Sequence, residues 1–473
     1  MQFDSGANLN ITYGSFVPSN SEFVLITAPH DELLIPDAQL ATYQSQIIEK
    51  LPFLFDPTDT LLHIITTPDN TTDELVLDVA VKTAAQLGLK GYAAQILPFA
   101  NQALAVDDTL GAAFVNGITN QSAAQTAYNE MAPDVSGGAR AIAVALTDQS
   151  SGPVAARQRI LRMYGKQDGE VTLWGEEFAE FVNDPGDRSA GLTGFKDHGF
   201  GFVLGLDGGD PKMGWYGGAF SFYSGDIVEP LPRDSHTNTL WYMLTGYTDW
   251  RGKGLFLDTK VDVGYADFKS KRYISLTIPS ASGTGSTVFT DEADSQRPGI
   301  VGAVGFTTGA ILAYGSTTFT PQISVDGMSM REEGYTEHHV GGTTTGNGKG
   351  MDLQTQAYYA NSLRAFLGTE VREDLNLSDF FVQPAIRVGY RYDFLNDPTK
   401  LRVNFADIGT NSTPTPGPTF TLVGPDPSQG NIVAGASLSA TTDAWTLGAN
   451  FDFVRGDNGA TTEIGTIHLL GRI

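Results

Sequence analysis

The chain has 473 residues, 54 acidic against 29 basic side chains, a net charge of −25 and no cysteine. The charge excludes a nucleic-acid binder, which needs a basic footprint for phosphate. The missing thiols exclude disulfide frameworks, thiol catalysis and thiolate metal sites. No run reaches the ~18 to 20 apolar residues of a membrane helix. Mean hydropathy is −0.12, but barrel strands alternate apolar with polar residues and barely register on such a scale. The length suggests about three domains. The start, MQFDSGANLN, lacks the basic end and apolar centre of a signal peptide, so an exported protein would be represented by a fragment or begin at the wrong Met.

Residues 1–82 hold strand-like runs at 9–13, 22–27, 61–66 and 74–81, separated by Asn, Asp and Pro clusters. They read either as coils of a β-solenoid or as a small sheet. Over 83–150 the period becomes helical, in Ala-rich segments such as KTAAQLGLKGYAAQIL and GARAIAVALT. A further helix lies within 151–168, in GPVAARQRILRMYGK, with Pro153 in its first turn and Gly165 at its end. It carries Arg157, Arg159, Arg162 and Lys166 and no acid; the last three share one face. That face is either solvated or turned towards acids.

From 169 to 473 the period is two. In the stretch 198–224, Phe200, Phe202, Leu204 and Leu206 alternate with Gly199, Gly201, Val203 and Gly205. After a turn at 207–212, Tyr216, Phe220 and Phe222 alternate with Gly217, Ala219 and Ser221. Bulky apolar residues opposite almost nothing suggest that another backbone passes behind this hairpin. Together with later alternating runs, the pattern predicts about twelve antiparallel strands in an all-β transmembrane barrel. Short links alternate with longer ones at 183–193, 225–236, 268–298, 329–350 and 395–430, as turns and loops do on the two sides of a membrane barrel.

Asp258, Lys260, Asp262, Asp326, Arg364, Glu370, Arg387, Arg391 and Asp452 share the face opposite the apolar one. They belong in a wet lumen, because a charge facing lipid at mid-depth costs about 2 to 4 kcal/mol. Trp215, Tyr223, Trp250, Tyr265, Tyr392, Phe394 and Trp445 stand near strand ends, where interfacial girdles form. A large soluble protein with a half-polar sheet is the competing reading.

The order of motifs resembles the C-terminal translocator of a type V secretion autotransporter. AYNEMAPDVSGGARAIAVALTD resembles the segment joining passenger to barrel, Glu170 to Val182 with Trp174 the first strand, and HGFGFVLGLD with YGGAFSFYSGD the next two. Phe319-Thr320-Pro321, Val382-Gln383-Pro384 and Gly334-Tyr335-Thr336-Glu337 resemble further family motifs. The resemblance implies a barrel with an α-helix in its pore, preceded by a small β/α passenger remnant. It places the protein in the outer membrane of a Gram-negative bacterium, as a monomer, with lipid, the barrel-assembly machinery and its own passenger as partners. Twelve or so helical residues span roughly 18 Å, much of a ~25 Å apolar band. Arg157, Arg159 and Arg162 are then expected to meet Asp258, Asp262, Asp326 and Asp452, with the glycines Gly199, Gly201, Gly205 and Gly217, and Ala219, leaving room for the helix. The final strand, Ile467, Leu469, Gly471, Ile473, keeps its alternation but lacks the family's terminal aromatic.

Enzyme chemistry finds no support. The seven His form no triad with a G-x-S-x-G serine. REEGYTEHH lacks H-E-x-x-H spacing, the acids Asp291, Glu292 and Asp294 lack an EF-hand pattern, and GGTTTGNGKG lacks a P-loop context. No cofactor is expected. A porin-like barrel, or one that adheres through its long loops, is the alternative function.

Overall fold

The structure, a computed structural model, describes residues 8–163, 171–210, 214–229, 235–280, 285–340, 351–377, 380–409, 414–442 and 445–472. Strands β1 (Ser21–Pro29), β2 (Leu61–Thr66) and β3 (Thr72–Val79) make a sheet in the order β1-β3-β2. Both pairings are antiparallel, whereas solenoid coils stack in parallel, so solenoid coils are ruled out for the described part of 1–82. Helix α1 (Asp37–Glu49) packs on β2 and was not foreseen: it buries only Tyr43 and Ile47, too sparse a stripe to show a helical period. The stretch 9–13 forms no strand.

The Ala-rich segment gives α2 (Ala84–Leu87), α3 (Gly91–Leu104), α4 (Asp108–Gly117), α5 (Gln121–Glu130) and α6 (Gly138–Thr147). Their starts follow ordinary capping chemistry. Thr83 and Gln86 form a reciprocal capping box, Asp107 accepts from the Leu110 amide at 3.0 Å, and Asn120 accepts from that of Ala123 at 3.0 Å. Helix α7 spans Pro153–Met163.

Twelve strands then form a ring: β4 (Thr172–Asp187), β5 (Leu192–Asp210), β6 (Gly214–Glu229), β7 (Ser235–Gly252), β8 (Leu255–Pro279), β9 (Ser286–Ala310), β10 (Thr317–Glu332), β11 (Tyr358–Glu373), β12 (Phe380–Asp393), β13 (Gly430–Thr441), β14 (Trp445–Gly456) and β15 (Thr461–Arg472). Each pairs antiparallel with the next, and β15 closes on β4 with Arg472 beside Thr172 and Thr461 beside Asn183. The chain enters β4 and leaves β15 at the short-turn rim.

At the opposite rim the expected loops are largely strand. β8 and β9 run on to Pro279 and from Ser286 as one tall hairpin, where 268–298 was expected to be a loop. The stretch 353–371 divides: Leu353–Thr355 leaves the ring and joins Tyr335–Thr336, Lys400–Phe405 and Phe420–Val423 in a separate four-stranded sheet. The run 341–350 lies outside the described residues.

Side-chain parity divides the ring into two faces. Phe200 and Leu204 are 64% and 54% exposed, while Val203 between them is fully buried. Trp250, Tyr265, Phe394 and Trp445 are exposed, but Trp215 and Tyr223 are buried. These two do not join a girdle, because they stand on the parity opposite to Tyr216, Phe220 and Phe222. The interior is also less hydrophilic than expected. Trp174, Phe178, Trp241, Phe268, Met328 and Met330 form an inward apolar cluster among the charges.

Residues 8–135 sit on the long-loop rim and share one core with it. Phe16, Leu77, Phe114 and Tyr128 pack in the same cluster as Leu276 and Phe289 of the tall hairpin and Leu353, Val403 and Leu422 of the outer sheet. The Phe99 ring stacks on Phe420 with centroids 4.2 Å apart. Gly91, at φ +55°, meets the backbone of Gly191 at the tip of the first hairpin so closely that no side chain fits between them.

Arg272 ties the parts together. It is 5% exposed as a side chain and pairs with Glu337, its Nη1 donating to the Glu130 carbonyl at 3.0 Å and its Nη2 to that of Met351 at 2.6 Å. Most of the REEGYTEHH run is likewise paired: Glu332 with Arg297, Glu333 with Arg331, and His339 Nδ1 3.0 Å from Asp291. Burial, and then Glu337 beside it, push the Asp352 carboxyl up to about 6.

Removing one partner of a buried pair leaves the other uncompensated, so Arg272→Ala should loosen the module by about 3 to 5 kcal/mol. Limited proteolysis is expected to release residues 8–135 while heat-modifiable gel mobility shows an intact ring; unchanged protease resistance would refute the clamp. For Asp352 the folded value lies above the ordinary ~3.9. The penalty on its ionised form is therefore absent below about pH 4 and complete above about pH 6. Asp352→Asn should stabilise the module at pH 7.5 by about 1 kcal/mol after screening, with no gain at pH 4. Equal denaturation midpoints at pH 7.5 would contradict this assignment.

Candidate functional site

Among the described residues, two helices rather than one occupy the interior of the ring. α6, expected to belong to the junction, enters the mouth and packs on β5, β9, β10 and β11. Its small and apolar residues Ala139, Ile142, Ala143 and Leu146 join the inward aromatic cluster. Arg140 fixes the entry, its Nη2 donating to Asp393 at 2.7 Å.

A tight turn at Asp148–Ser151 separates the helices. One Asp148 carboxylate oxygen accepts from the backbone amides of Ser150 and Ser151, at 2.6 and 3.0 Å. The other faces Arg391 and lies 3.6 Å from Arg364. A single carboxylate thus holds both the turn and two walls. The Gln149 amide donates to Asp326 at 3.1 Å.

α7 descends from this turn to the short-turn rim, and its described side chains are almost all buried. Arg157 makes a two-pronged pair with Asp207 of β5, at 2.6 and 2.7 Å. Asp207 also accepts from the Tyr247 hydroxyl at 2.9 Å, which in turn accepts from the Trp174 indole at 2.7 Å. Arg159 lies 3.6 Å from Asp452 of β14, and its Nη1 donates to the Ser150 carbonyl at 3.0 Å. Arg162 pairs with Asp258 of β8 and lies over the Phe256 ring at 4.4 Å. Gln158 donates to the Thr248 and Thr259 carbonyls, at 3.1 and 3.0 Å. Lys166 lies outside the described residues.

Of the four acids expected opposite the basic helix, Asp258 and Asp452 meet its arginines. Asp262 instead accepts from Thr245 at 2.6 Å and lies 3.5 Å from Lys260, and Asp326 holds the turn. Arg387 also pairs with Asp452, and Glu370 stands directly opposite Arg387 in register. Asp207, Asp148, Arg140 and Asp393 were missed. The turn expected at 207–212 hides Asp207; β5 in fact runs to Asp210. Ile467 and Leu469 point outward from β15, and Ile473 lies outside the described residues.

The glycines do not make room for the helix. A Cβ at Gly201 would strike the Phe178 ring, at Gly205 the Trp174 indole, at Gly199 the Tyr223 ring and at Gly217 the Tyr247 ring. Each lets an aromatic from a neighbouring strand lie flat across the wall, and Ala219 is buried on the same side. From α7, Arg157 lies over one of those rings, the Trp174 indole, at 5.8 Å.

Gly205→Ala should therefore destabilise the ring by about 1 to 3 kcal/mol through overpacking. Trp174→Phe should restore part of that loss in the double variant. Denaturation midpoints of the four proteins check this; strictly additive effects would mean that the glycine and the indole do not meet.

The sequence model of the Autotransporter beta-domain family matches residues 173–452. No curated protein sequence matches the chain. Among solved structures, the translocator domain of autotransporter NalP from Neisseria meningitidis is 10% identical, with a TM-score of 0.47, covering 70% of this chain and 99% of that one. The β domain of the Bordetella autotransporter Brka is 16% identical, with a TM-score of 0.39, covering 64% and 99%. The transport unit of the autotransporter AIDA-I from Escherichia coli is 12% identical, with a TM-score of 0.37, covering 72% and 99%.

Proposed function

The chain belongs to the autotransporter β-domain family, and on that premise we propose that its outer-membrane barrel carries residues 8–135 through its own lumen and displays them at the long-loop rim, leaving α6 and α7 as the plug. One observation carries this reading. Arg157, Arg159 and Arg162 reach acids on β5, β14 and β8, so a single helix is bound to well-separated positions around the ring. The chain runs from a folded module outside one rim, through the interior, to the first strand at the other rim. That is the path left by a segment that has passed outward.

Desolvation offsets most of the Coulomb gain of a buried ion pair, so such pairs do more for the position of a segment than for its stability. Three of them along α7 set its depth and rotation. The host is the outer membrane of a Gram-negative bacterium, the protein acts as a monomer, and the exposed Ile467 and Leu469 of β15 are what the barrel-assembly machinery reads. The job is mechanical and uses no cofactor.

The test compares the full chain with one lacking residues 138–166 in planar bilayers. The full chain should be nearly silent and the shortened one should show steady channels. Steady conductance of equal size from both would favour a porin-like barrel and defeat the plug. Protease added to intact cells should remove residues 8–135 from Arg272→Ala protein; full protection would defeat surface display.

A further inference from the structure

The outward rows of the ring are mostly apolar between the two rims; they carry threonines such as Thr248 and Thr259, and Glu463 of β15 stands level with Phe181 towards the long-loop end, while one acid among the described residues lies deeper. Glu177 of β4 is exposed on the outward face. Its register partners are Ile467 on β15 and Phe202 on β5. Leu173 and Phe181, four residues either way on the same face, are exposed as well. At about 3.3 Å per residue and a tilt near 40°, four residues rise about 10 Å. Glu177 therefore lies at mid-depth of a local apolar band, where a charge is least tolerated. Around it the surface is hollow. Two grooves of about 590 and 580 Å³ meet at Glu177, one bordered by Gly175 and Gly471, the other by Ala179 and Gly465.

We propose that this face of the β4–β15 seam docks a membrane-embedded segment of another protein that presents a cationic side chain to Glu177. A carboxylate in hydrocarbon without a partner is a liability; beside an ammonium or guanidinium it becomes half of an ion pair, and polar groups at this depth characteristically pair within the membrane. A lipid cannot supply the cation, because its headgroup stays at the interface. A second copy cannot either: among the described residues no Lys or Arg faces outward between the rims. Lys269, Lys271, Arg331 and Arg455 stand at the long-loop end, and Lys260, Arg364, Arg387 and Arg391 are buried inside. Gly175, Ala179, Gly465 and Gly471 leave hollows between the larger Phe202, Leu204, Ile467 and Leu469, so the cationic arm of a partner segment can reach Glu177 between those side chains. The proposal rests on the barrel standing in a membrane and holds whether or not it carries a passenger.

The experiment uses the full chain, fluorescently labelled, in phosphatidylcholine vesicles. It is titrated with a synthetic transmembrane helix of leucine and alanine carrying one central lysine, or with the same helix carrying leucine there. Binding is read by energy transfer. The wild type should hold the lysine helix about tenfold more tightly, a preference of the size expected for one polar contact in a membrane. Glu177→Leu should abolish the preference while gel mobility shows a folded ring. If that variant fails to fold, Gly175→Leu, which fills the groove and keeps the carboxylate, should also lose it. Equal binding of both helices by the wild type overturns the proposal. So does a preference that survives in Glu177→Leu, or a homodimer that depends on Glu177 in the absence of peptide.

Discussion

A sheet in hydrocarbon has no water with which to satisfy its edge, so the pairing of β15 with β4 is the constraint on which the rest depends. Closing the ring fixes which parity faces in and which faces out. It also encloses a space that this sequence fills with its own chain. Because the first strand starts at the short-turn rim, everything before Thr172 must reach that rim through the interior or around the outside. Arg140, the turn at Asp148 and the three arginines of α7 mark the interior route.

The interior combines two packing styles. Around α6 the walls present Trp241, Phe268, Met328 and Met330, and the helix answers with alanines, Ile142 and Leu146. Around α7 the walls add acids that the helix meets with arginines, while its Val154, Ile160 and Leu161 stay in the same apolar cluster. The apolar layer gives contact area without direction, while the ion pairs give direction at little net gain. Together they hold a buried segment in one register.

The ring was legible in the sequence because its signal is periodic. Alternation of Leu257, Val261 and Val263 with Asp258, Lys260 and Asp262 needs no structure to be read, and the family's motifs fixed the strand order. The interior was only partly legible. An acid counts as lumenal from parity alone, but whether it meets a helix depends on how far around and how high it stands. Asp262 and Asp326 have the right parity and stay with their own walls, whereas Asp207 lay hidden in an apparent turn. The small residues Gly201 and Gly205 suggest another backbone behind the sheet, whereas the group lying against them is the Phe178 or Trp174 ring of the adjacent strand, which parity alone does not reveal. The outer module was least legible, because its helix α1 and the loop sheet are built from short, weakly periodic pieces.

The core shared by the module and the loops joins Phe16 to Leu422. Contacts so distant along the chain are among the slowest to assemble, since loop closure must be met before they contribute. Residues 8–135 alone hold only part of that core. The tall hairpin and the outer sheet supply the remainder, so the module reaches its final packing only once strands far downstream are in place. Its folding is thereby made conditional on the ring, and opening of that hairpin would unfasten it from the same side.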